Sequence, residues 1–202
     1  MTLVMQDLIE KAMLDGVILR QKCSQSLIKP LSDAAAVLVQ CLQSGGKILA
    51  CGNGGSAADA QHFVAELVNR FEMNRRALAA ISLTNDASVM TSIANDFEFN
   101  AVFSRQVEAL GRDGDVLLAI STSGDSANVL KAVGVAEALA MFSIALTGRD
   151  GGQIAKHQGV GVHINIPHTS TARVQEMHIT CLHILCTLID ETMFGEAADV
   201  HK

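Results

Sequence analysis

Tryptophan and tyrosine are absent from this 202-residue chain, and seven phenylalanines supply its whole aromatic content. Little surface is left for stacking nucleobases, and the interior must be built from aliphatic side chains and methionine. Charge is sparse, at 18% of residues, and unbalanced: 15 Lys and Arg face 21 Asp and Glu, for a formal net charge of -6. Phosphate-backbone binding depends on clustered cations, so no nucleic-acid partner is expected and any anion site must be local. The cysteines, Cys23, Cys41, Cys51, Cys181 and Cys186, are odd in number and contain no C-x-x-C pair. They read as reduced structural thiols. Cys51 alone stands beside a functional-looking loop, where it is either a nucleophile or the last core residue of a strand. The opening stretch, Met1 to Asp7, lacks the basic and apolar regions of a secretory signal, and no apolar run is long enough to span a bilayer. A cytoplasmic protein without membrane contact is expected.

What is present is a large apolar fraction, 49% of residues, enough for one domain over residues 1–202 with a full core. Five short β-like runs recur: Lys47 to Cys51, Leu78 to Leu83, Asp115 to Ser121, Phe142 to Thr147 and Val162 to Ile166. Most are continuously apolar rather than alternating, as in strands covered on both faces. Between and after them, Ser56 to Phe71, Asp125 to Met141 and Thr171 to Phe194 carry apolar residues at helical spacing. This order predicts an α/β fold, a three-layer, doubly wound, five-stranded parallel sheet whose ligand site lies beyond the carboxyl ends of the strands. Residues 1–43 read as an N-terminal helical hairpin preceding an α/β core at 44–194. Pro30 and the polar pair Ser32 and Asp33 mark its break, with a fresh N-cap before Ala34. Its apolar content exceeds what one sheet needs, so a homo-oligomer is expected.

Two loops carry the chemistry. The first strand runs into Cys51-Gly52-Asn53-Gly54-Gly55-Ser56 and then a helix. Glycines permit positive φ and close backbone approach, and the free N–H groups of a helix start favour an anion. The plain alternative is a tight turn with Ser56 as N-cap. The loop matches neither a Walker motif nor a dinucleotide fingerprint, so no nucleotide is expected. The third strand runs into Ser121-Thr122-Ser123-Gly124-Asp125-Ser126 before another helix. Four hydroxyls and helix-terminal amides can hold a phosphate monoester without a fixed positive charge, or else form a Ser-rich capping turn. Two such loops on one sheet would converge on one crevice, which favours phosphate. His62 and Glu66, four apart, share one helix face, a spacing that suits a common metal near a cleft and otherwise a solvated surface. Gln175 and His183 are eight apart, roughly 12 Å along an ideal helix, so direct convergence is demanding. His178 reads as a packed histidine.

Taken together, C-G-N-G-G-S-A-A-D-A-Q-H-F, A-I-S-T-S-G-D-S-A-N-V, A-L-T-G-R-D-G-G and R-V-Q-E-M-H-I resemble the SIS family, with its flavodoxin-like fold, over about residues 30–194. Within it the chain is similar to the phosphoheptose isomerases. That resemblance implies conversion of sedoheptulose 7-phosphate to D-glycero-D-manno-heptose 7-phosphate through an enediol, the first step of ADP-heptose synthesis for the lipopolysaccharide core. It implies that Asn53, Gly54, Gly55 and Ser56 line the substrate, that Asn95 and Asp96 approach it, and that Ser121, Thr122, Ser123 and Ser126 hold its phosphate. It further implies one zinc ion per subunit on His62, Glu66, Gln175 and His183, with Glu66 and Gln175 also touching substrate, and a homotetramer. Glu66 as base and His183 as acid are the implied proton carriers, being the two site residues able to exchange protons near neutral pH. A different class is also open: some SIS proteins are non-catalytic and bind the replication initiator, but they lack the Glu and His equivalent to Glu66 and His183. A regulatory SIS module would carry a DNA-binding domain, for which there is no room before the first strand. Asp125 stands where the family commonly has Asn, and Ala172 where some members carry an acid.

Overall fold

The continuously apolar runs become the strands of one parallel sheet, in a computed structural model that describes residues 2–198. The strands are β1 (Ile48–Gly52), β2 (Ala80–Ser82), β3 (Val116–Ser121), β4 (Phe142–Gly148) and β5 (Val160–Ile166). The helices are α1 (Thr2–Cys23), α2 (Ile28–Gln43), α3 (Gly55–Val68), α4 (Ala87–Asp96), α5 (Ser104–Leu110), α6 (Ala127–Ala138) and α7 (Thr171–Ala198), with short 3-10 turns at Phe99–Ala101 and Ile154–Lys156.

Strand order is β2-β1-β3-β4-β5. The chain leaves β1 toward one side and returns on the other, so the topological switch falls between β1 and β3, where a doubly wound sheet opens its ligand crevice. Every residue of β1 and β3 is buried, which explains why these runs lack alternation. Alternation exists in another form: Ile48, Ala50, Leu118 and Ile120 enter a core shared with α2, α3 and α7, while Leu49, Cys51, Leu117 and Ala119 enter one shared with α5 and α6. Three layers result.

Several sequence expectations need correction. The break between the first helices lies at residues 24–27, not at Pro30. Pro30 sits in the first turn of α2, where its missing N–H would have had no helical partner, and Ser32 and Asp33 continue the helix. The two N-terminal helices do not form a self-packed hairpin: α2 packs on the sheet and α7, whereas the principal neighbour of α1 is α7. Arg173 donates to the Ala12 carbonyl at 2.9 Å, and Arg20 to Thr180 Oγ1 at 2.9 Å. Helices α4 and α5, between β2 and β3, were not anticipated; α4 has no buried residue and therefore shows little apolar patterning toward this chain's own core. The cysteines are all buried and unpaired, and burial pushes the Cys51 thiol up to about 12, so it is a core residue of β1 rather than a nucleophile. No helix among the described residues is long and apolar enough to cross a membrane.

Candidate active site

At the end of β1 the chain turns through Asn53 and Gly54, whose positive φ of 54° is one that glycine adopts without strain. Asn53 is fixed by Asn128 in the first turn of α6: the two amides exchange hydrogen bonds of 2.8 Å in both directions. Asn128 is 2% exposed and also accepts from the Val129 N–H at 3.0 Å. A reciprocal amide pair, buried on the Asn128 side, thus ties the glycine loop to the helix that follows the hydroxyl loop, across the switch point. Sequence reasoning missed Asn128, although it lies within the A-N-V end of a motif already singled out.

At the end of β3, Ser121 Oγ lies 2.8 Å from Ser126 Oγ and 3.4 Å from Ser123 Oγ, and accepts from the Gly124 N–H at 3.2 Å. Ser123 Oγ accepts from the Asp125 N–H at 3.1 Å. Ser126 is the N-cap of α6, yet its hydroxyl turns to Ser121 and makes no capping bond to the helix. The positive end of α6 is left to an incoming anion. Gly124, at φ 71°, packs so closely on Gly151 that any Cβ there would collide with the Gly151 carbonyl. Asp125 Oδ1 accepts from the Gln153 N–H at 2.9 Å. The position that departs from the family's common Asn therefore braces the hydroxyl loop against the loop after β4.

Helix α7 touches both loops with its first turns. Val174 packs on Gly148, which lies against the Thr122 carbonyl, and the Gln175 amide sits where a Cβ on Gly55 would be. Two turns farther along, His183 meets α3 within the same chain: its Nε2 is 2.9 Å from His62 Nε2, and His62 Nε2 is 3.3 Å from Glu66 Oε1. Phe71 stacks on the His183 ring with centroids 5.6 Å apart. The structure thus brings His62, Glu66 and His183 together and places Gln175 nearer the glycine loop. Asn95 and Asp96, at the end of α4, are exposed and bonded to each other at 2.8 Å. No hydrogen bond among the described residues joins them to either loop.

Two further ionisable groups border this region. Asp59, one turn before His62, has a buried Oδ2 without a partner, and burial pushes its carboxyl up to about 6 against the opposing pull of His62. His178 is wholly buried; its Nε2–H donates to the Thr147 carbonyl at 3.0 Å, and burial pulls its pKa down to about 4, which the hydrogen bond opposes. It is the packed histidine that its position suggested.

Whether these residues suit a metal turns on the short contact between His62 and His183. Two imidazole nitrogens 2.9 Å apart are satisfied by one proton between them or by one cation bound to both, and the donor set of two imidazoles and a carboxylate is one that zinc takes. Among the described residues, no group of three or more His, Cys, Asp or Glu is yet spaced as a complete metal site. The donors fit in kind.

The SIS domain family model matches residues 17–148. A phosphoheptose isomerase of Methylibium petroleiphilum is 49% identical over 194 residues, covering 96% of this chain and 97% of its own. The structure of a phosphoheptose isomerase from Neisseria gonorrhoeae superposes with a TM-score of 0.88 at 49% identity, over 93% of this chain and 99% of that one. One from Francisella tularensis gives a TM-score of 0.88 at 40% identity, over 92% and 98%.

Proposed function

As a member of the SIS-domain family and, within it, of the phosphoheptose isomerases, the chain is a sugar-phosphate isomerase acting on sedoheptulose 7-phosphate, and we propose that Glu66 and His183 are the acid–base pair of its reaction. The observation that supports this is the meeting of α3 and α7: within one chain, His62 is within 3.3 Å of both Glu66 and His183.

The substrate carries its phosphate at one end and its reacting carbons at the other. The site is drawn out in the same way. The hydroxyl loop, with Ser121, Thr122, Ser123 and Ser126, and the open start of α6 suit the phosphate; Asn53, Gly54, Gly55, Ser56 and Gln175 suit the chain of hydroxyls. Glu66 then stands about three helical turns beyond Gly55, roughly 16 Å along α3, and His183 about two turns beyond Gln175, roughly 12 Å along α7. Isomerisation needs a base to take a proton from C1, an enediol, and return of a proton at C2, with proton movement between the two oxygens. Glu66 takes the C1 proton and returns it at C2, while His183 gives a proton to the C2 oxygen and receives one from the C1 oxygen. Zinc held by His62, Glu66, Gln175 and His183 would, when bound, polarise the carbonyl and favour the enediolate.

Association of copies and a cytoplasmic setting belong to the same reading. Leu3, Leu8, Ile9 and Met13 of α1 are each at least 62% exposed, an apolar surface that a second copy would cover, in keeping with a tetramer. Asn95 and Asp96, in keeping with the family resemblance, belong to the same reading as groups that approach the sugar. The product would feed ADP-heptose and lipopolysaccharide core synthesis. A non-catalytic, initiator-binding role is disfavoured by the presence of Glu66 beside His62 and His183. The direct test is incubation of purified protein with sedoheptulose 7-phosphate, with and without a chelator, and detection of the aldoheptose. Conversion that the chelator suppresses supports both activity and metal; no conversion in either arm overturns the proposal.

A further inference from the structure

Arg75 lies outside every motif, in the segment between α3 and β2, yet its side chain is only 2% exposed and its partner Asp190 3%. The guanidinium Nε donates to Asp190 Oδ1 at 2.8 Å, Nη2 to the Glu66 carbonyl at 2.8 Å, and Nη1 to the carbonyls of Leu67 at 2.8 Å and Arg76 at 3.1 Å. Two of these acceptors are last-turn carbonyls of α3, which have no helical partner of their own, and a cation there also opposes the negative helix end. Asp190 is seven residues beyond His183, close to two full turns, so both lie on the same side of α7.

One planar group therefore grips the backbone of Glu66 with one edge and the helix that carries His183 with the other. Arginine's rigid fork can hold such a geometry where the single flexible amine of lysine cannot. Stability alone does not account for it. A buried ion pair rarely outperforms apolar side chains of similar volume, and here Asp190 Oδ2 is left buried without a partner. The Cys186 thiol is pushed up to about 12 by burial, with Glu66 and Asp190 adding to the rise and Arg75 opposing it, so one buried atom feels both ends of the clamp.

We infer that Arg75 is a positioning residue: by holding the Glu66 carbonyl and the Asp190 carboxylate together, it sets the rotation and depth of α7 against α3, and so the gap between the Glu66 and His183 side chains. The inference rests on the reading of those two residues as the acid–base pair.

The test uses the full chain with sedoheptulose 7-phosphate as substrate. Arg75→Lys keeps the charge and loses the fork, and the pair Arg75→Met with Asp190→Leu removes the clamp while filling its volume. Urea unfolding, kcat and KM are measured for each, with Glu66→Gln and His183→Ala alongside. In both clamp variants kcat should fall about 10- to 100-fold, the cost of a small misplacement, with KM within about threefold and the double variant unfolding at or above the parental urea concentration. A folded double variant with parental kcat, or an effect confined to KM, overturns the inference. If the double variant does not fold, Arg75→Lys decides, and parental kcat there overturns it equally. Parental turnover in the Glu66 and His183 controls would instead remove the acid–base reading itself, and this inference with it.

Discussion

His62 and His183 stand 121 positions apart in the chain, and their Nε2 atoms lie 2.9 Å apart in the fold. Helix α3 is aimed by the glycine turn after β1, and α7 crosses it after β5, so the contact exists only because the strand order places both helices on one face of the sheet. With Glu66 one turn beyond His62, two imidazoles and a carboxylate gather on one seam.

Glu66→Gln and His183→Ala should each lower kcat by about 10^2- to 10^4-fold, the range of a lost general base or acid, with little change in KM. Circular dichroism and thermal unfolding should remain close to the parent, because the side chains of both residues are only partly buried. Near-normal turnover in Glu66→Gln overturns the base assignment.

Ser123→Ala removes one hydroxyl of the loop after β3, to which we assign the phosphate, and its bond to the Asp125 N–H. A loss of about 1 to 1.5 kcal/mol in substrate binding is expected, raising KM roughly 5- to 10-fold with kcat within about twofold. Steady-state kinetics over a range of substrate concentration separates the two constants.

Asn128→Ala leaves the amide of Asn53 without its partner across the switch point. Stability should fall by about 0.5 to 1.5 kcal/mol, the net worth of a hydrogen bond whose remaining partner, Asn53, is half-buried and can take up water, and KM should rise as the glycine loop loses its tether. Urea unfolding and kinetics on the same preparation test both. A variant unchanged in both would mean that the pair is incidental.

The pH dependence of stability has two opposing parts. The pKa of His178 is depressed in the folded protein to about 4 from 6.5, so its contribution is fully present above pH 6.5 and is lost as pH falls toward 4. That loss comes to about 2 kcal/mol between pH 7 and pH 5. The pKa of Asp59 is raised to about 6 from 3.8, so its contribution is present below pH 3.8 and is lost as pH rises through 6. Urea unfolding at pH 7 and pH 5 should therefore show a shallower decline toward acid in His178→Asn than in the parent, and a steeper one in Asp59→Asn. The same slope in all three proteins would contradict both assignments.

The sheet and its flanking helices were legible because five apolar runs too short for helices alternate with helical spacing, and a chain of that pattern can bury its strands only between two helical layers. The hydroxyl and glycine loops were legible for a related reason: their residue types are tied to local backbone demands at strand ends. Helix α4 was not, since none of its residues is buried in this chain and an amphipathic signal needs a core to face. The break before α2 was misplaced because proline fits a first helical turn as readily as it ends a helix.

By itself, then, the amino-acid order determined the fold class, the two loops and the His62 and Glu66 face, since each depends on residues within one or two turns of one another. Only the tertiary structure decided that His183 meets His62 inside one chain, that Gln175 sits by Gly55, that Asn128 holds Asn53, and that Arg75 joins the end of α3 to α7. Those partners are separated by 115 or more positions for Arg75 with Asp190, Gln175 with Gly55 and His183 with His62, and by 75 for Asn128 with Asn53. Local spacing carries no information about which side chains the packing of sheet and helices will bring within bonding distance.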